Sequence, residues 1–276
     1  MGTSPPLRLC AQPIAGRVGA VIDGVDLREP LGTDEVEQLH RLLAERGVII
    51  FTDQKLEPME HRTFARQLGD IRMPPDYFPT LSDEGYPDIG VLDSKPGGAR
   101  APYWHADVTW AARPPRYSVL HMRVSPNAGG DTMWASLIQG YEELSLPLRG
   151  FIEPFTAEHA LGERSALHPV VQRHPVTGRF GLSVNPLWTR RILELDDKES
   201  QAVLNLLYDK VLQPESICRW RWHVGDIGIW DNHFVWHYAI DDYGDAPRVI
   251  HRIEIEGEPL IPAAPRGDAQ EQELLG

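Results

Sequence analysis

Short apolar segments separated by turn residues recur along this chain, mainly in its second half, and they constrain its fold more than any other feature. Valine, isoleucine, tyrosine and tryptophan, which favour strands, are frequent in them. The 24 glycines and 24 prolines of the chain supply turns between such segments. Strands are predicted at residues 7–25 (one or two), 48–51, 88–92, 104–110, 117–124, 130–134, 168–173, 179–185, 217–222, 226–230, 233–238 and 248–254.

Amphipathic segments predict helices in the first half of the chain and between the strands. Thr33 can cap the first of these helices, and Gly47 can stop it. The predicted helices cover residues 33–47, 59–68, 136–144 and 197–212. Helices clustered early and many short strands later favour a mainly β (α+β) fold, a double-stranded β-helix or jelly roll with flanking helices.

Two parts of the chain lack a regular pattern of helix or strand. The stretch from Arg72 to Tyr103 is rich in proline, glycine and aspartate, and such a long irregular run is more often a functional lid than a spacer. Prolines and acidic residues also accumulate near the end of the chain. We expect a single domain over residues 1–257 and a disordered tail at 258–276.

The composition argues against several classes of partner. A net charge of −13 argues against nucleic acid, because phosphate contacts need a surface of lysine and arginine. No apolar stretch approaches the roughly 18 residues that span a bilayer, so no membrane insertion is predicted. With only Cys10 and Cys218 and no signal-peptide pattern at the N-terminus, we expect a cytoplasmic protein.

His105 and Asp107 are the first candidates for metal ligands. They are two residues apart in a predicted strand, so their side chains point to the same face. One imidazole and one carboxylate would be two members of a facial triad, which leaves adjacent positions open on iron(II). The third member should be a distant histidine on a facing strand, and His237 is the candidate. His233 with Asp231 is a rival pair, because His233 and His237 share a face of one predicted strand.

Arg248 and Arg252 are four residues apart in a predicted strand and therefore share a face, with Ile250 between them. Two guanidinium groups inside a barrel are costly unless anions meet them. Arginine also has the side chain best shaped for bidentate binding of a carboxylate. The pattern alone leaves a second interpretation open, in which both arginines point into solvent.

Six stretches carry a family resemblance through their residue types, order and intervals. They are W-H-A-D-V-T at 104–109, G-G-D-T at 129–132, H-P-V at 168–170, R-H-P-V-T-G at 173–178, R-W-R-W at 219–222, and W-D-N, H-Y-A, D-Y, R and H-R between 230 and 252. On these stretches the sequence resembles the taurine dioxygenase (TauD/TfdA) family of 2-oxoglutarate oxygenases, from about Leu7 to Gly257.

The resemblance implies an iron(II) site with 2-oxoglutarate as co-substrate and O2 as oxidant. His105, Asp107 and His237 match the iron ligands of the family. Thr132 and Arg248 match the pair that binds the distal carboxylate of 2-oxoglutarate. Position 233 has no ligand role in the family pattern, which disfavours the rival pair.

The resemblance also implies a substrate pocket. Arg252 matches the arginine that meets the anionic group of the substrate. The residues that fall where family members line the pocket are Tyr77, Val108 and Trp188. The implied reaction converts 2-oxoglutarate to succinate and carbon dioxide while it hydroxylates the substrate carbon beside the heteroatom. That carbon then collapses to an aldehyde and releases sulfite from a sulfonate or sulfate from a sulfate ester.

A charge count independently favours an anionic small molecule as substrate. Iron(II), one aspartate and two arginines together carry three net positive charges, and a 2-oxoglutarate dianion leaves one of them. Two positions disfavour taurine itself, because Pro74 and Ala101 stand where taurine-cleaving members have a histidine and an asparagine. An alkyl sulfate, an alkyl sulfonate or an aryloxy acid fits the more apolar positions at least as well.

Two other classes of function remain open on the sequence. One is a metal-binding barrel with non-redox chemistry, such as a zinc or manganese hydrolase, which would not need Thr132 together with Arg248. The other is a non-catalytic binding protein that kept the fold, against which the intact set of three ligands argues. The resemblance implies a homo-oligomer, a dimer or tetramer.

Overall fold

The computed structural model describes residues 9–75, 77–94 and 101–263. Its α-helices are α1 (Thr33–Arg46), α2 (Pro58–Gln67), α3 (Leu137–Glu142), α4 (Leu146–Ile152) and α5 (Asp197–Val211). Its strands are β1 (Ala11–Pro13), β2 (Ala20–Ile22), β3 (Val48–Phe51), β4 (Ile71–Arg72), β5 (Thr80–Leu81), β6 (Tyr86–Asp93), β7 (Tyr117–Val124), β8 (Thr132–Ser136), β9 (Thr156–Leu161), β10 (Arg164–Pro169), β11 (Val171–Arg173), β12 (Phe180–Leu182), β13 (Thr189–Ile192), β14 (Ile217–Trp220), β15 (Ile227–Asp231), β16 (Val235–Ala239) and β17 (Val249–Ile255).

The largest sheet has nine strands and forms one wall of the fold. Its strands run in the order β1-β2-β3-β15-β7-β17-β6-β5, and β4 pairs with the end of β17. The central strand β7 is antiparallel to both of its neighbours, β15 and β17, whereas β2 and β3 are parallel. Along β7, Ser118 lies opposite Trp230 on one side and Glu254 on the other.

A second sheet, in the order β14-β8-β16, packs against the large one. Trp134 of β8 and Trp230 of β15 are fully buried between the sheets, with ring centroids 6.0 Å apart. Burial of one such large side chain contributes roughly 1.5–3 kcal/mol, so this layer holds the two sheets together. The two facing sheets, with helices outside them, confirm the predicted jelly roll.

The helices cover the outer faces of both sheets. Leu39 and Leu43 of α1 and Phe64 of α2 are buried in one cluster with Phe51 of the large sheet. Helices α3 and α5 bury apolar side chains against the small sheet. None of the described helices combines the length and the apolar composition that a membrane crossing requires.

The largest departure from the predicted strands is at residues 104–110. His105 forms only an isolated bridge with His237, and the chain then turns at residues 107–110 instead of continuing as a strand. Val108 in this turn has a φ of 56°, a conformation that β-branched residues rarely adopt. The predicted strand is therefore wrong, and a turn rather than strand alternation brings the His105 and Asp107 side chains together.

Three observed elements have no clear sequence signal. Helix α4 contains Pro147 and Gly150, which are weak helix formers. Strand β9 reads Thr-Ala-Glu-His-Ala-Leu, in which β-branched and aromatic residues are scarce, and β13 is only four residues long. Strands β10, β9 and β13 form a small separate sheet, so these elements are stabilised by tertiary pairing rather than by local propensity.

The expected disordered tail begins at residue 258, and its described part is irregular but contacts β11. Pro262 forms a bridge with Gln172, the Arg173 amide donates to the Ile261 carbonyl at 2.7 Å, and the Ala263 amide donates to the Val171 carbonyl at 3.0 Å. Residues 261–263 are thus tied to β11, and the extent of the disordered tail stays a prediction. Residues 264–276 lie outside the described residues, as do residue 76 and residues 95–100 of the predicted lid.

Candidate active site

His105, Asp107 and His237 converge at the end of the small sheet. One potential ligand atom from each lies within 4.8 Å of the other two. His105 Nε2 is 3.5 Å from Asp107 Oδ1, and His237 Nε2 is 3.7 Å from Asp107 Oδ2. The backbone bridge between the two histidines places their ring centroids 4.1 Å apart. Within the described parts of the chain, this is the one group of three such side chains with metal-ligand spacing.

A hydrogen bond at His105 and burial at His237 leave ring nitrogens available for metal binding. His105 Nδ1 is 2.8 Å from the Tyr103 carbonyl, which can only accept, so this nitrogen carries the hydrogen and Nε2 keeps its lone pair. His237 Nδ1 is buried and has no hydrogen-bond partner among the described residues. Burial and the neighbouring His105 lower the pKa of His237 to about 3, so this ring is neutral.

Asp107 is held as a carboxylate despite its burial. Burial by itself raises the pKa of Asp107, but the nearby Arg252 guanidinium helps to hold it below its ordinary value. Ser118 Oγ donates to Asp107 Oδ2 at 3.2 Å. Two imidazoles and one buried carboxylate are the donor set of a facial triad, so these residues fit a divalent metal such as iron(II).

The turn that carries Asp107 is fixed by side chains from distant elements. Asn232 Oδ1 accepts from the Asp107 amide at 2.7 Å, and Asn232 Nδ2 donates to the Asp107 carbonyl at 3.0 Å. Trp188 Nε1 donates to the Ala106 carbonyl at 3.1 Å, and His168 Nε2 lies 2.8 Å from the Thr109 carbonyl. These bonds hold the strained turn at Val108. The W-D-N motif marked Asn232 in the sequence. The sequence did not predict that Asn232 would bind the backbone of Asp107.

The side chains of the rival pair, Asp231 and His233, contact other protein groups instead of forming a metal site with His237. Asp231 is fully buried and accepts from Arg116 Nη2 at 2.6 Å, with His174 Nε2 3.2 Å away. His233 Nε2 lies 3.0 Å from the Pro114 carbonyl. Asp231 also accepts from the His233 amide at 3.1 Å, so it stabilises the turn that leads into β16.

A cavity opens beside the three candidate ligands. Both sequence-predicted partners of 2-oxoglutarate, Thr132 and Arg248, lie in its wall with His105, His237 and Arg252. The remaining lining is mostly apolar and consists of Leu92, Ala101, Leu120, Trp230, Ala239, Ile240, Asp241, Tyr243 and Ile250. Both arginines therefore point inward, which excludes the interpretation in which they face solvent.

Thr132 and Arg248 are pre-oriented by their neighbours. Trp222 Nε1 donates to Thr132 Oγ1 at 2.8 Å. Arg248 Nε donates to the Gly130 carbonyl at 3.0 Å, and its guanidinium carbon lies 5.9 Å from the centre of the Tyr243 ring. Burial lowers the pKa of Arg248, and among the described residues no carboxylate forms an ion pair with it. A buried guanidinium of this kind is a receptor for an anion.

Arg252 lies on the other side of the candidate metal site. Its Nη1 is 3.3 Å from Asp107 Oδ1, and its Nη2 is 3.3 Å from Glu254 Oε1. The guanidinium carbon also lies 4.7 Å from the centre of the Phe78 ring. Gly90 makes room for that ring, because a Cβ there would be 2.8 Å from Phe78 Cε1. Sequence reasoning identified Arg252 but missed both Phe78 and Glu254.

The three predicted pocket residues do not line this cavity. Tyr77 is 66% exposed, and Trp188 contacts the turn of Ala106 through its indole nitrogen. Val108 directly follows Asp107 in the same turn. Their contact with substrate stays a prediction. Ala101, by contrast, does line the cavity.

Comparisons with known proteins agree with this geometry. Residues 11–253 match the family described as "Taurine catabolism dioxygenase TauD, TfdA family". The chain is 35% identical over 282 residues to an alkylsulfatase from Acinetobacter baylyi, covering 92% of this chain and 87% of that protein. It is also 35% identical over 286 residues to an alpha-ketoglutarate-dependent sulfate ester dioxygenase from Pseudomonas putida, covering 94% and 93%. The structure of a taurine dioxygenase from Burkholderia xenovorans matches with a TM-score of 0.85 at 32% identity, covering 93% and 94%. The resemblance seen in the sequence is thus confirmed: the chain belongs to the TauD/TfdA family of enzymes that depend on 2-oxoglutarate (alpha-ketoglutarate) and a metal.

Proposed function

We propose that this protein is an iron(II)- and 2-oxoglutarate-dependent dioxygenase that hydroxylates a sulfate ester or sulfonate at the carbon beside the heteroatom. The proposal depends on the position of the His105, Asp107 and His237 side chains beside one cavity. The same cavity is lined by Arg248, a buried arginine without a carboxylate partner among the described residues. Iron(II) bound there would supply the activation of O2 that couples hydroxylation to the conversion of 2-oxoglutarate into succinate and carbon dioxide.

Thr132 and Arg248 are the proposed binding pair for the distal carboxylate of 2-oxoglutarate. Since the Trp222 indole can only donate, Thr132 Oγ1 accepts from it and keeps its own hydrogen free for a carboxylate oxygen. Arg248 has its Nε committed to Gly130, which leaves the Nη hydrogens for a bidentate contact. Both groups are therefore oriented before the co-substrate arrives.

Arg252 is the proposed partner of the anionic group of the substrate. It contributes a second buried guanidinium to the cavity that contains the candidate ligands. Ala101 in the cavity wall offers no polar contact for an amine, which favours an alkyl sulfate or sulfonate over taurine. The relatives that act on sulfate esters support this class of substrate. Release of sulfate or sulfite, with an aldehyde, would follow hydroxylation.

The chelate of iron(II) and 2-oxoglutarate provides the first test. Anaerobic titration should produce its visible charge-transfer band, and alkyl sulfates should then give substrate-dependent succinate in air. Asp107→Ala should abolish both signals, whereas Asp209→Ala, at an exposed aspartate on α5, should change neither. Arg252→Ala should keep the band and lose turnover. Loss of the band in Arg252→Ala would mean that the two arginines have exchanged roles.

A substrate screen separates this proposal from the other classes of function. Sulfonates, sulfate esters and aryloxy acids are compared for succinate release at equal concentration. A zinc or manganese hydrolase would release product without O2 and without succinate. A cytoplasmic location and a homo-oligomeric state are further parts of the proposal, and size-exclusion chromatography with light scattering checks the second.

A further inference from the structure

Glu254 is a buried carboxylate directly behind the proposed substrate arginine. It is 5% exposed, and its position two residues after Arg252 in β17 puts both side chains on one face of the strand. Its Oε1 is 3.3 Å from Arg252 Nη2 and has no hydrogen-bond partner among the described residues. The contact between Glu254 Oε1 and Arg252 is therefore an ion pair rather than a hydrogen bond.

Arg252 thus lies between two carboxylates, and only one of them is a proposed metal ligand. Asp107, on one side, is a proposed metal ligand, and its charge is shared with the metal once one binds. Glu254, on the other side, is too deeply buried to reach a ligand and does not line the cavity. Burial raises the pKa of Glu254, and the neighbouring Arg252 opposes that shift. Through their ion pair Glu254 is the counter-ion of Arg252, and Phe78 covers one face of the same guanidinium.

This carboxylate changes the charge balance that the sequence suggested. A divalent metal, Asp107, Glu254, Arg248 and Arg252 together carry two net positive charges, and a 2-oxoglutarate dianion cancels both. The count without Glu254 left one positive charge for the substrate. With Glu254, these groups and 2-oxoglutarate sum to zero before the substrate enters, and Asp241 in the cavity wall adds no positive charge.

We propose that Glu254 positions Arg252 and lowers the net charge of the pocket, and this inference rests on the proposed function. The enzyme would then bind monoanionic substrates in preference to dianions of the same shape. One negative charge can be met by the Arg252 guanidinium at short range. Among the described residues that line the cavity, a second charge on the same group would find no arginine or lysine besides Arg252 and the Arg248 assigned to 2-oxoglutarate. It would be buried beside Glu254 and Asp107, which is costly.

The selectivity separates two tetrahedral groups of similar size. A sulfate ester carries a single negative charge at neutral pH. A phosphate ester carries between one and a half and two, because its second pKa is about 6. Shape alone distinguishes the two groups poorly, whereas the charge that Glu254 contributes disfavours the phosphate.

Hexyl sulfate and hexyl phosphate are a matched pair of probes. Their dissociation constants are measured at pH 8 by calorimetry on the anaerobic protein loaded with iron(II) and 2-oxoglutarate. The unchanged protein should bind the sulfate at least ~10-fold more tightly. Glu254→Gln should reduce that ratio about tenfold by strengthening phosphate binding, and Glu254→Asp should restore it. Glu256→Gln, at an exposed glutamate two residues later, is the control and should leave the ratio unchanged.

The outcomes distinguish this inference from the proposed function. An unchanged ratio in Glu254→Gln, or an equal loss of affinity for both anions, would overturn the charge selectivity. Failure of the unchanged protein to bind either anion would overturn it as well. Hexyl sulfate that binds without release of succinate would contradict the proposed function alone, because the binding ratio is measured without turnover. Thermal melting of each variant confirms that it is folded.

Discussion

Asn232 holds the backbone of Asp107 from both sides, with its Oδ1 2.7 Å from the Asp107 amide nitrogen and its Nδ2 3.0 Å from the Asp107 carbonyl oxygen. The two residues are 125 positions apart in the sequence. Asn232 Nδ2 also lies 3.1 Å from the Pro115 carbonyl, so one amide joins both ends of the segment that carries Asp107. The position of the candidate carboxylate ligand therefore depends on a residue outside its own segment.

Asn232→Ala should weaken metal binding without removing a ligand. The buried amide and carbonyl of Asp107 lose their partners, which costs about 1–3 kcal/mol each, and the turn relaxes. We expect a 10- to 100-fold weaker affinity for iron(II), of the order seen when groups that orient metal ligands are removed. Anaerobic metal titration measures it, with Asn127→Ala at an exposed asparagine as the control. Unchanged affinity would show that the turn is fixed without Asn232.

Gly90→Ala should act on the substrate side of the site. Its new Cβ would lie 2.8 Å from Phe78 Cε1, so the ring that stacks on Arg252 has to move. We expect a KM for substrate several-fold higher, with the KM for 2-oxoglutarate unchanged. Gly150→Ala in α4 is the control, because a Cβ at that position would have nothing within 4 Å. Equal changes in the KM values for substrate and for 2-oxoglutarate would indicate that the substitution disturbs the fold rather than the substrate pocket.

Trp222→Phe should act on the co-substrate side. It removes the indole donor to Thr132 Oγ1, and the hydroxyl loses its orientation toward the bound carboxylate. A single neutral hydrogen bond contributes about 1 kcal/mol, so the KM for 2-oxoglutarate should rise about fivefold. Trp220→Phe is a matched control, because the Trp220 indole donates to Asp226 Oδ2 at 2.9 Å instead. A larger effect in the control would contradict the proposed role of Thr132.

Acid should destabilise the protein through histidines buried as neutral rings. Burial lowers the pKa of His121 and of His251 to about 4 and lowers that of His61 further. The ordinary value in an unfolded chain is about 6.5, so the unfolded chain binds more protons between pH 6.5 and 4. Stability is therefore complete above pH 6.5 and falls as the pH decreases toward 4.

His121→Gln checks this pH dependence. The His121 shift alone corresponds to about 3 kcal/mol lost by pH 4. Urea unfolding at pH 7.5 and 5.0 should give a smaller decrease in the free energy of unfolding for this variant than for the unchanged protein. His223→Gln, at a histidine whose side chain is 71% exposed, should keep the full decrease. The same decrease in all three proteins would assign acid sensitivity to other groups.

Patterns within single segments predicted most of the fold. The apolar spacing in α1 and α5 and the apolar run of β3 gave helices and strands close to the observed bounds, because their burial and local propensity agree. Strands β9 and β13 were missed, since they form by pairing with each other rather than by composition. The three candidate ligands and both arginines could be selected from motif order alone.

The sequence by itself determined the kinds of side chain available, two imidazoles, a carboxylate and two guanidiniums, and that they belong to a jelly roll. Tertiary structure decided what holds them and what charge surrounds them. The turn at Val108, the Asn232 contacts and the Glu254 ion pair join residues far apart in the chain or bend it against its local preference. Hydrogen bonds and charges act through space over a few ångströms, so their partners are set only when the sheets pack.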